Sequence, residues 1–176
     1  MHRYFVTVLL ALALYLPGRA TAAEPIVLPF TMGHRGPMIS VVVRGQGAQR
    51  MYFHTGAQGS VIDAAVADRL HLTSLGDARI ASPRGPGMAA HRVQLPLQLG
   101  GQVFRIDAMA FDRSALGTHL PDMPVGVLSA RSLPGYLMTL DLHAGTLTIQ
   151  HGVLPPADGV TIFAVNPRQR LFAVPI

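Results

Sequence analysis

Cysteine is absent from the 176 residues. Neither a disulfide nor a thiolate nucleophile is therefore available, and stability has to come from a packed core. Lysine is absent as well, since all 14 basic residues are Arg. Together with the content of Ala, Gly and Pro, this points to a GC-rich coding sequence and makes the formal net charge of +5 partly a codon effect. The Arg residues are scattered, not set in a patch interleaved with aromatics, so a nucleic-acid partner is not expected. No internal repeat and no low-complexity tract occurs. After the first 23 residues no stretch is apolar for long enough to cross a bilayer as a helix.

Chemical signatures are missing too. The eight histidines include no His-x-x-x-His pair and no Asp/His cluster, and His34, His71, His119 and His151 fall at expected loop or surface positions. No metal site is expected from spacing, because His54 could meet His34 or His91 only through the fold. No Gly-x-Ser-x-Gly elbow is present, so a serine triad has no support. No cofactor is implied.

What is present begins with a leader. Met1-His2-Arg3 is basic, Tyr4 to Pro17 is almost wholly apolar, and Ala20-Thr21-Ala22 offers a small-residue cleavage site. This is the layout of a secretory signal peptide over residues 1–23, an uncleaved anchor being the alternative. A periplasmic or secreted protein, free of the membrane after cleavage, is the expectation. The length suits one domain. Its plan is an N-terminal extension at 24–37, a domain at 38–152 and a tail at 153–176. The tail carries Pro155-Pro156 and an apolar run from Leu171 to Ile176, and reads as the start of a truncated second lobe.

From Met38 onward the period is that of strands, punctuated by Gly and Pro. Met38 to Arg44 and Arg50 to Phe53 are expected to pair around Gly45-Gln46-Gly47 and to deliver His54 to a loop. Ser60 to Ile62 reads as a short strand, with Asp63 capping a helix over Ala64 to Leu70. Ser82 to Gly87 is a turn cluster between Ala78 to Ala81 and the alternating run His91 to Leu99, expected as an exposed hairpin tip. Gly100-Gly101 turns the chain into Val103 to Phe111. Val125 to Leu128 reads as a strand, Ala130 to Leu133 as a helical turn, and Leu137 to Leu142 with Thr146 to Gln150 as a last hairpin. The fold class is mostly β, a single closed, β-barrel-like lobe with one or two short helices.

Tyr52-Phe53-His54-Thr55-Gly56-Ala57 resembles the active-site loop of retropepsin-like aspartic proteases, where an apolar strand runs into Asp-Thr-Gly-Ala. Three further features are similar to that family: the Gly-rich tip at Ser82 to Gly87, where a flap covers peptide; Val125-Gly126-Val127-Leu128-Ser129; and Thr139 to Leu142 with Gly145 to Ile149. The resemblance covers Met38 to Gln150. A secreted β domain of another fold is the alternative. The resemblance implies catalytic-loop positions at His54, Thr55 and Gly56, and substrate-binding positions at Ala57, Arg84, Gly85 and Gly87.

The resemblance also implies a mechanism that this chain cannot run unchanged. Two aspartates from two lobes share one proton, one drawing a proton from water and the other donating to the scissile carbonyl. One lobe supplies one member of the pair, so a homodimer or a second lobe is implied, and here that member is His54. Gln58, Val125, Ser129 and Arg131 also depart from the family pattern and read as drift around a site no longer selected for catalysis. The expectation is a catalytically degenerate lobe that keeps binding of extended peptide or protein. The alternatives are an active endopeptidase completed by a partner lobe and a noncatalytic dimerisation module. Whether the chain is an enzyme is left open by the sequence.

Overall fold

A computed structural model of the chain describes residues 23–43, 46–82, 85–116 and 123–160. The leader up to residue 22, Arg84 of the tip and residues 161–176 of the tail lie outside the described residues. The domain is mostly β, as expected. Its strands are β1 (Ile26–Gly33), β2 (Gly36–Val43), β3 (Ala48–His54), β4 (Ser60–Asp63), β5 (Ser74–Ser82), β6 (Gly85–Leu99), β7 (Gln102–Phe111), β8 (Gly126–Ser129), β9 (Tyr136–Asp141) and β10 (Thr146–His151). The one α-helix described, α1 (Ala64–Arg69), and two 3-10 turns, at Arg113–Leu116 and Ala130–Ser132, complete it.

The core follows from alternation. In β6 the side chains of Val93, Leu95, Leu97 and Leu99 are buried while Arg92, Gln94 and Gln98 are exposed. In β2 Ile39, Val41 and Val43 point inward while Ser40 and Val42 point out. A period of two on a pleated strand puts one set on each face. The buried faces of β2, β3, β4, β6, β7, β8 and β10 meet in one apolar cluster that includes Met51, Phe53, Ile62, Leu128 and Leu147.

The sheet runs β5-β6-β7-β4-β8-β3-β2-β1-β10-β9, and β2 pairs again with β6 through Val42 and Val43 against Gln98 and Leu97. That second pairing closes a ring of strands around the core. Pro96 has no N–H to give a neighbour, and it falls where β6 has left β5 at Val93 and has not yet met β2 at Leu97. Gly100 and Gly101, with φ of 51° and 92°, make the two-residue turn into β7 that only residues tolerating positive φ can form.

β1 is an element that the sequence reading did not find. Pro25 and Pro29 interrupt its apolar run, yet both are tolerated: Pro25 precedes the strand, and Pro29 is the last residue paired with β10 before Phe30 begins the pairing with β2. β1 thus ties the closing hairpin to the ring. The edge-to-face contact of Phe104 with Tyr136 and the stacking of Tyr136 on His151 add a second tie.

The cap expected at Asp63 is observed. Its carboxylate accepts from the Ala65 N–H at 3.1 Å. It also pairs with Arg113, whose guanidinium donates to the carbonyls of Met123 and Pro124. One arginine therefore joins the start of α1 to the segment that leads into β8. At the other end of α1, Leu72 N–H reaches Ala67 O and His71 N–H reaches Asp68 O, the Schellman pattern, with His71 at the position usually held by Gly and a φ of 49°.

Candidate functional site

β8 lies between β3, to which it is parallel, and β4, to which it is antiparallel. The loop joining β3 to β4 therefore has to pass over the C-terminal end of β8. His54 is the last residue of β3 and stands beside Ser129, the last of β8. Gly126 permits the close approach of these strands, since a Cβ there would fall 2.1 Å from the Val61 carbonyl oxygen.

Three serines from three elements fasten the loop's inner side. Ser60 and Ser129 are fully buried. The Ser129 N–H donates to Ser60 Oγ at 3.0 Å, and the Ser60 and Ser132 hydroxyls share a hydrogen bond of 2.7 Å. Ser129 Oγ donates to the Ala57 carbonyl at 2.7 Å and accepts from the Arg131 N–H at 3.2 Å. Each buried hydroxyl is thus satisfied, which burial demands. Ser129, which departs from the family pattern, thus has a structural part here: its side chain holds the loop to β8. The backbone of Val125 joins both neighbours, its N–H bonding Arg50 O and its carbonyl accepting from Asp63 N–H, both at 2.9 Å.

The loop's outer side is different. His54 and Thr55 are exposed, and Gly56 and Ala57 are half-buried. The His54 ring folds back on its own loop, where Nδ1 accepts from the Gly56 N–H at 3.0 Å. A Cβ at Gly56 would lie 3.4 Å from His54 Cε1, so the ring edge bearing Nδ1 and Cε1 rests against the backbone.

His54, Thr55, Gly56 and Ala57 are thus brought together over Ser129. Gly85 and Gly87 belong to another element, the outgoing arm of the β5–β6 hairpin, and Arg84 between the arms is outside the described residues. Gly87 has a packing reason for its identity: a Cβ there would meet the Ile80 carbonyl oxygen at 2.6 Å. Its own carbonyl accepts from Arg79 Nη2 at 2.6 Å.

A separate open groove of about 540 Å³ is lined by Val42, Leu72, Gln94, Pro96 and Arg105 among others, with no residue of the His54 loop in its wall. Among the described residues no three His, Cys, Asp or Glu side chains converge as a metal site, and no helix is long and apolar enough to cross a membrane.

This loop and strand order meet a matching family. The sequence profile described as Aspartyl protease matches residues 39–131, more than half of the chain. The chain belongs to the aspartyl protease family. The match spans the His54 loop, the β5–β6 hairpin and β8, three of the four features on which the resemblance was drawn. Among solved structures, the chain is similar to a retropepsin-like aspartic protease from Rickettsia conorii, at 16% identity and a TM-score of 0.48, covering 73% of this chain and 91% of that one. It is also similar to conglutin gamma, a basic 7S globulin from lupine seeds, at 12% identity and a TM-score of 0.37. There the aligned part is 73% of this chain and 41% of the globulin. No curated protein matches the chain.

The serine fastening was not found from the sequence. Ser60 and Ser129 are 69 residues apart, and nothing local marks them as partners. The Asp63–Arg113 pair was missed for the same reason.

Proposed function

We propose that this protein is a lobe of the aspartyl protease family that keeps the loop and its support without peptide hydrolysis, and that it binds extended peptide. The observation that carries the reading is His54 at the exposed end of β3, where the resemblance expects the aspartate. Hydrolysis by this family's chemistry needs one carboxylate able to take a proton from water beside a second group that donates. A carboxylate offers two oxygens, so it can accept from the loop backbone and still present a base. An imidazole offers one lone pair, and here that lone pair is engaged by Gly56 N–H. The peptide-binding part of the proposal is supported by the edge of the β5–β6 hairpin, since β5 ends the order of strands among the described residues and an extended peptide can add to such an edge.

The decisive test is incubation of purified protein with an unstructured peptide between about pH 4 and pH 7. No cleavage is expected. Cleavage that disappears in the His54→Ala variant would overturn the reading. The exposed loop also supports a second reading, in which it meets another lobe, either a copy of this chain or a partner carrying the missing aspartate. Cleavage that appears only on mixing with such a partner would favour it. The basic, apolar and small-residue order of the first 23 residues supports a periplasmic or secreted location. Fractionation with mass spectrometry of the N-terminus tests that, an intact Met1 in the cytoplasmic fraction being the contrary result.

A further inference from the structure

We infer that His54 is held as the Nε2–H tautomer, so that its ring offers ligand one hydrogen-bond donor, suited to a backbone carbonyl oxygen of an extended peptide. The inference deepens the peptide-binding reading and rests on it for the identity of the ligand. A neutral imidazole has one pyridine-like nitrogen and one N–H. Nδ1 accepts from Gly56 N–H at 3.0 Å, so Nδ1 is the nitrogen without hydrogen and Nε2 carries it. The ring edge with Nδ1 and Cε1 lies against Gly56, and the side chain is exposed.

Three consequences follow from this one bond. Nε2 cannot take a proton from water, because it already holds one. It cannot ligate a metal while the Gly56 bond is kept, because its lone pair belongs to the ring π system. It can donate, and the matching group on an extended peptide is a carbonyl. A carboxylate would gain more from an imidazolium, but the imidazolium has a hydrogen on Nδ1 and cannot accept from Gly56. The Gly56 bond thus goes with a ring whose Nε2–H is the donor left for ligand.

Histidine-labelled full-length protein distinguishes the tautomers by long-range proton–nitrogen correlation at about pH 8, well above the usual histidine range, with the His54 signals assigned by their loss in His54→Gln. The expected result is hydrogen on Nε2 and an Nδ1 shift typical of an acceptor. Equimolar zinc should leave the His54 signals in place. Hydrogen on Nδ1, or a zinc-induced change at His54, would overturn the inference. An acetylated, amidated Val-Ala-Val tripeptide, which has carbonyls and no carboxylate, serves as the ligand probe. It should shift the Nε2–H signal, and His54→Ala should weaken its binding by roughly 2- to 12-fold, the range of one neutral hydrogen bond. Binding of the tripeptide undiminished in His54→Ala, or absent from the parent protein, would overturn the ligand assignment. Cleavage of peptide by the parent protein would instead remove the noncatalytic reading, whichever tautomer is found.

Discussion

The two sides of the loop between β3 and β4 are held in opposite ways. The inner side is fixed over long sequence distances, by Ser60, Ser129 and Ser132 bonding across three elements in a buried place. The outer side is fixed over two residues, by His54 bonding Gly56 in an exposed one. Other exposed turns are built in the same local manner, with Asp112 accepting from Ser114 and Asp141 from His143 and Ala144. The contrast teaches that the loop's position belongs to the fold, while its chemistry depends on a single side chain that the fold does not require. On the proposed reading, this lobe carries a changed reacting group on a kept framework.

The largest effect should come from closing the space between β4 and β8 at Gly126. Gly126→Ala puts a methyl group into the Val61 carbonyl, and with the β4 backbone at Val61 and Ile62 in the way β4 and β8 have to separate. A loss of about 3 kcal/mol or more is expected in chemical denaturation, the upper range for overpacking. A loss below about 1 kcal/mol would mean that β4 and β8 are not held as closely as described.

Ser129→Ala comes next. It removes the hydroxyl that bonds the Ala57 carbonyl and the Arg131 N–H, both in part-buried places, and leaving such groups unsatisfied costs about 1–3 kcal/mol. If denaturation instead shows no change, the inner side is no better fixed than the outer and the comparison fails.

His54→Ala is expected to cost less than about 1 kcal/mol, because Gly56 N–H is exposed and water replaces the ring. A stability loss equal to that of Ser129→Ala would break the contrast from the other side.

The smallest effect sharpens the picture of the local turns. The Ser114 hydroxyl first, and the Ser114 N–H second, hold the Asp112 carboxyl below its ordinary value of 3.8. A carboxyl lowered in the folded state adds stability that is present above that ordinary value and is lost as pH falls through the lowered one. Ser114→Ala should raise the Asp112 titration midpoint in an NMR titration. Because Asp112 is fully exposed, stability at neutral pH should barely move.

Much of the fold was legible because it is written in short-range patterns. Alternation marked β2, β6 and β7, Gly100-Gly101 marked a turn, and Asp63 before an Ala-rich stretch marked a helix start. β1 was hidden because Pro25 and Pro29 break the alternation, and only the switch of partner at Phe30 explains why they are tolerated. The return of β2 to β6 is a pairing between residues 42 and 98, which no local signal announces. At the site, the His54 loop could be recognised by its neighbours, whereas the bonding of Ser129 was hidden because its partners Ala57 and Ser60 are distant in sequence. The orientation of the His54 ring was illegible as well, since it depends on the backbone N–H of Gly56 and not on a side-chain type.

The proposed loss of hydrolysis is tested most directly by following an unstructured, end-labelled peptide with the purified protein and with His54→Ala side by side, from about pH 4 to pH 7. The account predicts intact peptide in both. Cleavage by the parent protein that His54→Ala abolishes would contradict it.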